Sequence, residues 1–144
     1  MTDPLSREER CGLLAEAEPG ELRALADACL ADGADVRVLL APEVGCVQTQ
    51  VREPVAGERF LLGDVLACRA EVELAGHRGW AMRLGDDRAA VLAAAVLDAE
   101  VEAGRAHAAE VDELCREVAR RLVEREEREW AELAPTVVEF EELT

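Results

Sequence analysis

Leu66-Ala67-Cys68-Arg69-Ala70-Glu71-Val72-Glu73-Leu74 decides the fold class. Leu66, Cys68, Ala70, Val72 and Leu74 fall on one side of a period-2 repeat, and Arg69, Glu71 and Glu73 on the other. Successive strand side chains point to opposite faces, so the alternation predicts a strand with one buried side and one solvated or partner-facing side. A short turn around Gly76-His77 leads to Trp80, Met82 and Leu84, which alternate with Ala81 and Arg83 in a second strand. Upstream, Val36, Val38 and Leu40 form one alternating run and Val47, Thr49 and Val51 another. Pro42-Glu43-Val44-Gly45 between them reads as a turn. The expectation is an α+β fold around a four-stranded, mainly antiparallel sheet.

Helical period flanks this sheet on both sides. Ser6 with Glu9 three residues on is a capping box, in which each side chain satisfies an orphan N–H of the first turn. That helix runs to about Glu16 and stops at Pro19-Gly20. Leu22, Leu25, Ala26, Cys29 and Leu30 then repeat at helical spacing, with Gly33 as the stop. After the sheet, an Asp of Gly85-Asp86-Asp87 caps an Ala-rich helix through Val91, Leu92, Val96 and Ala99, which Gly104 breaks or bends. From Arg105 to about Leu133 lies a long charged helix with Val111, Leu114, Val118 and Leu122 on one face. Asp112–Arg116, Glu117–Arg121 and Glu124–Arg128 are i, i+4 pairs that support it. Pro135 ends it. Residues 1–144 are expected to form one domain, with a helical part over 1–33, a sheet-and-helix core over 34–104, and a C-terminal helix and tail over 105–144.

Composition narrows the function. Half of the 144 residues are apolar, but with two Phe, two Trp and no Tyr the core rests on Leu, Val and Ala. Against 32 acidic residues stand 16 basic ones, all Arg, for a net charge of −16. The imbalance is spread along the chain and leaves no basic patch, so nucleic acid and anionic membranes are poor partners. The same field resists an ATP-like anion. Cys11, Cys29, Cys46, Cys68 and Cys115 include no Cys-x-x-Cys pair, which removes zinc-ribbon and thioredoxin readings. Met1-Thr2-Asp3-Pro4 has neither a basic start nor an apolar run, and no stretch approaches the roughly 20 apolar residues of a membrane span. The expected compartment is the cytoplasm, with reduced thiols.

No catalytic constellation stands out. His77 and His107 lie in different elements, Cys68 sits on an apolar strand face, and Thr2, Ser6 and Thr49 lack a nucleophile-elbow context. No catalytic or metal-ligating residue is assigned. Gly57-Glu58-Arg59-Phe60-Leu61-Leu62-Gly63-Asp64 reads as a loop with an Arg, an aromatic and two glycines, but without the Gly-Lys-Ser/Thr ending of a phosphate loop. An inter-strand connection and a functional loop both fit it.

Several segments in order carry a family resemblance: Pro42-Glu43-Val44-Gly45-Cys46-Val47-Gln48, then Gly57 to Asp64, then Arg69-Ala70-Glu71-Val72, then Gly79-Trp80, then Leu97-Asp98-Ala99. Together they resemble the PhnG family, the small subunit of the bacterial phosphonate carbon–phosphorus lyase system, over roughly Ser6 to Ala103. Departures are Gly85-Asp86-Asp87 where the family tends to have Gly-Arg-Asp, Glu53-Pro54-Val55-Ala56 in place of a Gly-rich stretch, and Val137 and Glu141 in the tail.

The resemblance implies an accessory subunit without a complete active site of its own, in an assembly that displaces adenine from ATP by a phosphonate. The product would be a ribose 1-phosphonate 5-triphosphate. No cofactor is implied in this chain, ATP and Mg being substrates of the assembly. Implied partners are homologues of subunits H, I, J, K and L, with I most direct. The residues expected to touch partner or substrate are Glu43, Gly45, Gly57, Glu58, Arg59, Phe60, Gly63, Asp64 and Arg69. Two other classes fit the composition, an acidic interaction or inhibitor protein and a small independent enzyme acting on a phosphorylated substrate. The tail after Pro135, with Val138 and Phe140 alternating across Glu139, is expected to add a strand to a neighbour's sheet edge.

Overall fold

α1 (Arg7–Glu16) begins where the capping box places it, with the Ser6 N–H donating to the Glu9 carboxylate at 2.8 Å. The computed structural model describes residues 3–138 of the 144. α2 (Pro19–Leu30) starts on the proline that ends its predecessor, because the first helical position needs no N–H and suits the fixed φ of Pro. Leu22, Ala26 and Cys29 are its buried stripe.

Among the described residues the sheet has three strands where four were expected. β1 (Val36–Arg52), β2 (Arg59–Leu74) and β3 (His77–Leu84) run antiparallel in that order. The two alternating runs upstream of the central strand are a single 17-residue strand. Pro42 to Gly45 does not reverse the chain. It follows register shifts between Val38 and Leu40 and between Leu40 and Glu43, after which pairing resumes at Glu43 with Arg69. β1 is an edge strand, so the N–H that Pro42 lacks costs no ladder bond, and Gly45 does not take the positive φ of a reversing turn. The loop expected over Gly57 to Asp64 is also mostly strand. Only Gly57 and Glu58 belong to the connection, and Arg59 begins β2. The Glu53 carboxylate closes that connection by accepting from the N–H groups of Val55 (2.8 Å) and Glu58 (3.3 Å).

α3 (Arg88–Glu102) is the central pillar, capped by Asp87 on the Ala90 N–H at 2.9 Å. It is buried continuously from Ala93 to Glu100. β3 crosses it so closely that a Cβ on Gly79 would sit 2.0 Å from the Ala95 carbonyl oxygen. Alanine on the helix and glycine on the strand are both needed for that approach. α4 (Ala108–Leu133) packs through Val111, Cys115 and Val118 against α1 and α3. The Asp112–Arg116 and Glu117–Arg121 pairs form, at 3.0 and 3.3 Å. Glu124–Arg128 does not pair; Arg125 reaches Glu129 instead, at 4.0 Å. A 3-10 turn at Ala134–Thr136 follows. Of the tail expected to add a strand, Val137 and Val138 are exposed, and Phe140 lies outside the described residues.

Candidate functional site

All the helical packing on the sheet comes from one side. Val72, Leu74, Ala70 and Cys68 of β2 point to α3 and are buried. Antiparallel sheets often leave the second face to water, and here that face mixes charged residues, among them Arg37, Glu73, Glu71, Glu43 and Arg69, with exposed apolar ones. Register places Leu40, Glu71 and Trp80 in one row across it, Glu43, Arg69 and Met82 in the next, and Gly45, Ala67 and Leu84 in a third. Val47 with Val65, and then Val51 with Phe60, lie farther along the same face of β1 and β2. Among these Leu84 is 72% exposed and Phe60 47%. Single exposed apolar residues need no explanation, but Trp80 and Leu84 on β3 with Val47 and Phe60 on β1 and β2, set around the Glu43–Arg69 pair, together form a surface suited to a partner.

Two elements carry apolar side chains away from the body. From Gly45 to Arg52 and from Arg59 to Leu66 the β1–β2 ribbon has no buried residue on either face, which makes an arm of roughly 25 Å at strand rise. Along it Leu61, Leu62 and Leu66 are all exposed. From Val123 to Leu133 every residue of α4 is exposed, Trp130 included.

The expected contact residues divide between these settings. Glu43 and Arg69 meet across β1 and β2 at 2.6 Å, a half-exposed pair of small energetic worth that fixes register more than it binds. Gly45 continues the same face. Arg59 and Phe60, adjacent in sequence, point to opposite faces of the arm, so they do not form one loop site. Gly63 (φ 145°) borders a register shift where Leu62 is the extra residue, and Asp64 pairs with Gln48 just beyond it. Gly57 and Glu58 lie at the arm's tip.

Most other chemistry-bearing groups are consumed by structure. Asp98 is fully buried and accepts from Arg7 (2.8 Å), Arg10 (2.9 and 3.1 Å) and the Trp80 backbone N–H (2.9 Å). Arg10, itself buried, also reaches Glu102. Asp98 thereby fastens α1 to both α3 and the free side of β3. Glu100, equally buried, accepts from Arg105 (2.8 Å) and the His107 N–H (3.0 Å), and Arg105 goes on to Asp32 at 2.8 Å. Sequence reasoning quoted Asp98 only within a family segment and gave neither acid a role. Their one signal was two carboxylates inside an alanine run whose neighbours are all core.

Arg83 holds the C-terminal end of α1 by donating to the carbonyls of Leu14 (2.6 Å) and Ala17 (2.8 Å), and burial lowers its pKa. Three of the thiols, Cys11, Cys29 and Cys115, are poor nucleophiles. Burial, reinforced by the Asp98 charge, pushes Cys11 up to about 11, and burial raises Cys29 and Cys115 to about 12. His77 bonds the Ala75 carbonyl (3.2 Å) and His107 the Glu110 carboxylate (2.9 Å), so the two histidines serve separate turns. Among the described residues no group of three His, Cys, Asp or Glu could hold a metal ion, and no helix is long and apolar enough to cross a membrane.

Residues 5–144 match the family profile described as phosphonate metabolism protein PhnG. The chain belongs to the PhnG family. A curated relative, alpha-D-ribose 1-methylphosphonate 5-triphosphate synthase subunit PhnG of Rhizobium meliloti (strain 1021), is 37% identical over 135 residues, covering 93% of this chain and 85% of that protein. The segments that carry the PhnG resemblance now have distinct physical roles. Gly79-Trp80 and Leu97-Asp98-Ala99 are the two sides of the β3–α3 crossing. Pro42 to Gln48 and Gly57 to Asp64 build the bulged strand and the projecting arm.

Proposed function

We propose that this chain is an accessory, non-catalytic subunit of an assembly that makes a ribose 1-phosphonate 5-triphosphate. The assembly would displace adenine from ATP by a phosphonate, with Mg as the counterion of its triphosphate substrate. The family and the relative's role as a synthase subunit support the reaction class. One structural observation carries the accessory role: large apolar side chains such as Leu84, Phe60, Leu62 and Trp130 are left uncovered on the sheet, the arm and α4, while the buried charged groups are spent on internal ties. Aromatic anchors on such surfaces commonly hold a large share of interface energy. The partners are homologues of the lyase-system subunits H, I, J, K and L, with I the direct neighbour, and the compartment is the cytoplasm.

The test is co-expression with those subunits, followed by size exclusion and an adenine-release assay with ATP and methylphosphonate. The chain should co-elute, and the purified chain alone should release no adenine. Phe60→Ala should weaken assembly while leaving melting nearly unchanged. Adenine release that tracks the concentration of the rigorously purified chain would overturn the accessory reading.

A further inference from the structure

β3 is an edge strand, and its unpaired side is satisfied only in part. The Arg78 carbonyl accepts from Arg7 at 3.1 Å, and the Trp80 N–H donates to Asp98. In an antiparallel ladder every second residue turns its N–H and C=O to the same side. Met82 and Leu84 therefore face the same way as Trp80, and no partner meets their backbone groups among the described residues.

Alongside that open edge runs a groove of about 850 Å³ between β3 and α1. Its α1 wall is Glu8, Gly12, Ala15 and Glu16, and its strand wall includes Met82 and Leu84. Gly12 has open space where a Cβ would stand, so the wall is low at its centre. Both arginines that line the groove are engaged elsewhere, Arg7 with Asp98 and Arg83 with the α1 carbonyls. Glu8 and Glu16 make no ion pair among the described residues. The groove thus offers two exposed carboxylates without a salt bridge, Glu8 and Glu16, the latter also in the field of Arg83, and a free backbone edge between helix and solvent.

Resting on the reading of this chain as a subunit, we infer that the groove receives an extended, basic segment of a partner subunit, which adds a strand to the open end of β3. The spacing sets its pattern. Glu8 and Glu16 are eight residues apart on α1, roughly 12 Å at helical rise. Positions i and i+4 of a strand are roughly 13 Å apart and lie on one face. The segment therefore carries Arg or Lys at i and i+4 to meet the two carboxylates. A small apolar residue at i+2 sits against Gly12 and Ala15. Main-chain bonds to Met82 and Leu84 supply attachment, and the charges choose register and partner. A second copy of this chain is a poor occupant, since each copy carries a net charge of −16.

The experiment compares hydrogen exchange of the chain alone with that of the purified assembly, and adds two variants, Glu8→Arg/Glu16→Arg and Met82→Pro. Both variants change exposed groups or an outward N–H, and far-UV CD with melting checks that each still folds. The Met82 and Leu84 amides should become protected only in the assembly. Each variant should weaken assembly roughly tenfold, with the charge-reversed one losing most of its salt dependence. If the assembly forms but these amides exchange as in the free chain, or both variants assemble unchanged, the groove inference falls while the subunit reading stands. If no assembly forms, both fall. Concentration-dependent protection in the isolated chain would put a second copy in the groove and overturn the basic partner.

Discussion

Asp98→Ala removes the acceptor on which α1, α3 and β3 converge. Asp98 is fully buried, and its partner Arg10 keeps only 6% of its side chain exposed, whereas Arg7 keeps 47%. Removing one member of a buried pair strands the other charge and costs about 3–5 kcal/mol. Two features place this site at the low end. Arg7 can turn to water, and Arg10 retains Glu102. The Trp80 N–H, by contrast, loses its acceptor at a part-buried position. The expected cost is about 3 kcal/mol, which for a chain of 144 residues is a fall of about 10 °C in melting temperature. Urea unfolding followed by far-UV CD measures it, with thermal melts as a check. Arg10→Met/Asp98→Leu should recover much of the loss, because an apolar pair leaves no stranded charge. An Asp98→Ala cost under about 1 kcal/mol, or strictly additive single costs in the double variant, would refute the account of Asp98 as the clasp of α1.

Gly79→Ala should abolish soluble expression or cost several kcal/mol, since the new Cβ would overlap the Ala95 carbonyl oxygen and the Ala99 Cβ; a soluble variant with unchanged melting would mean that the crossing is looser than described. Ala75 has φ 49° and Gly76 φ 83° in the two-residue turn between β2 and β3, so Ala75→Asn should stabilise by about 0.5–1 kcal/mol in urea melts, because Asn tolerates that conformation better. The Arg121 guanidinium lowers the pKa of Glu21, so the α2–α4 tie is fully present above the unfolded value near about 4.3 and is lost as pH falls through the lower folded value. Glu21→Gln should therefore melt below the parent at pH 7 and converge with it in acid; a constant gap would dissociate the pair from stability.

What the sequence determined by itself is whatever short-range physics decides. The Ser6–Glu9 capping box, the Asp87 cap, the stripe of α2 and the alternation of Leu66 to Leu74 each depend on neighbours within a turn or two, and each lies where the residues placed it. The family resemblance was also legible, because order and spacing survive without coordinates. Tertiary structure alone decided whether Pro42 to Gly45 reverses the chain or bulges. The same local residues permit both, and the register held by β2, with Glu43 opposite Arg69, selects the bulge. It also decided that Arg59 and Phe60 part to opposite faces, since β2 carries the period-2 pleat through a stretch that read as a loop. Asp98 shows the limit most plainly. Its partners lie 18 to 91 positions away, and only the crossing of β3 over α3, allowed by Gly79, brings them to one carboxylate.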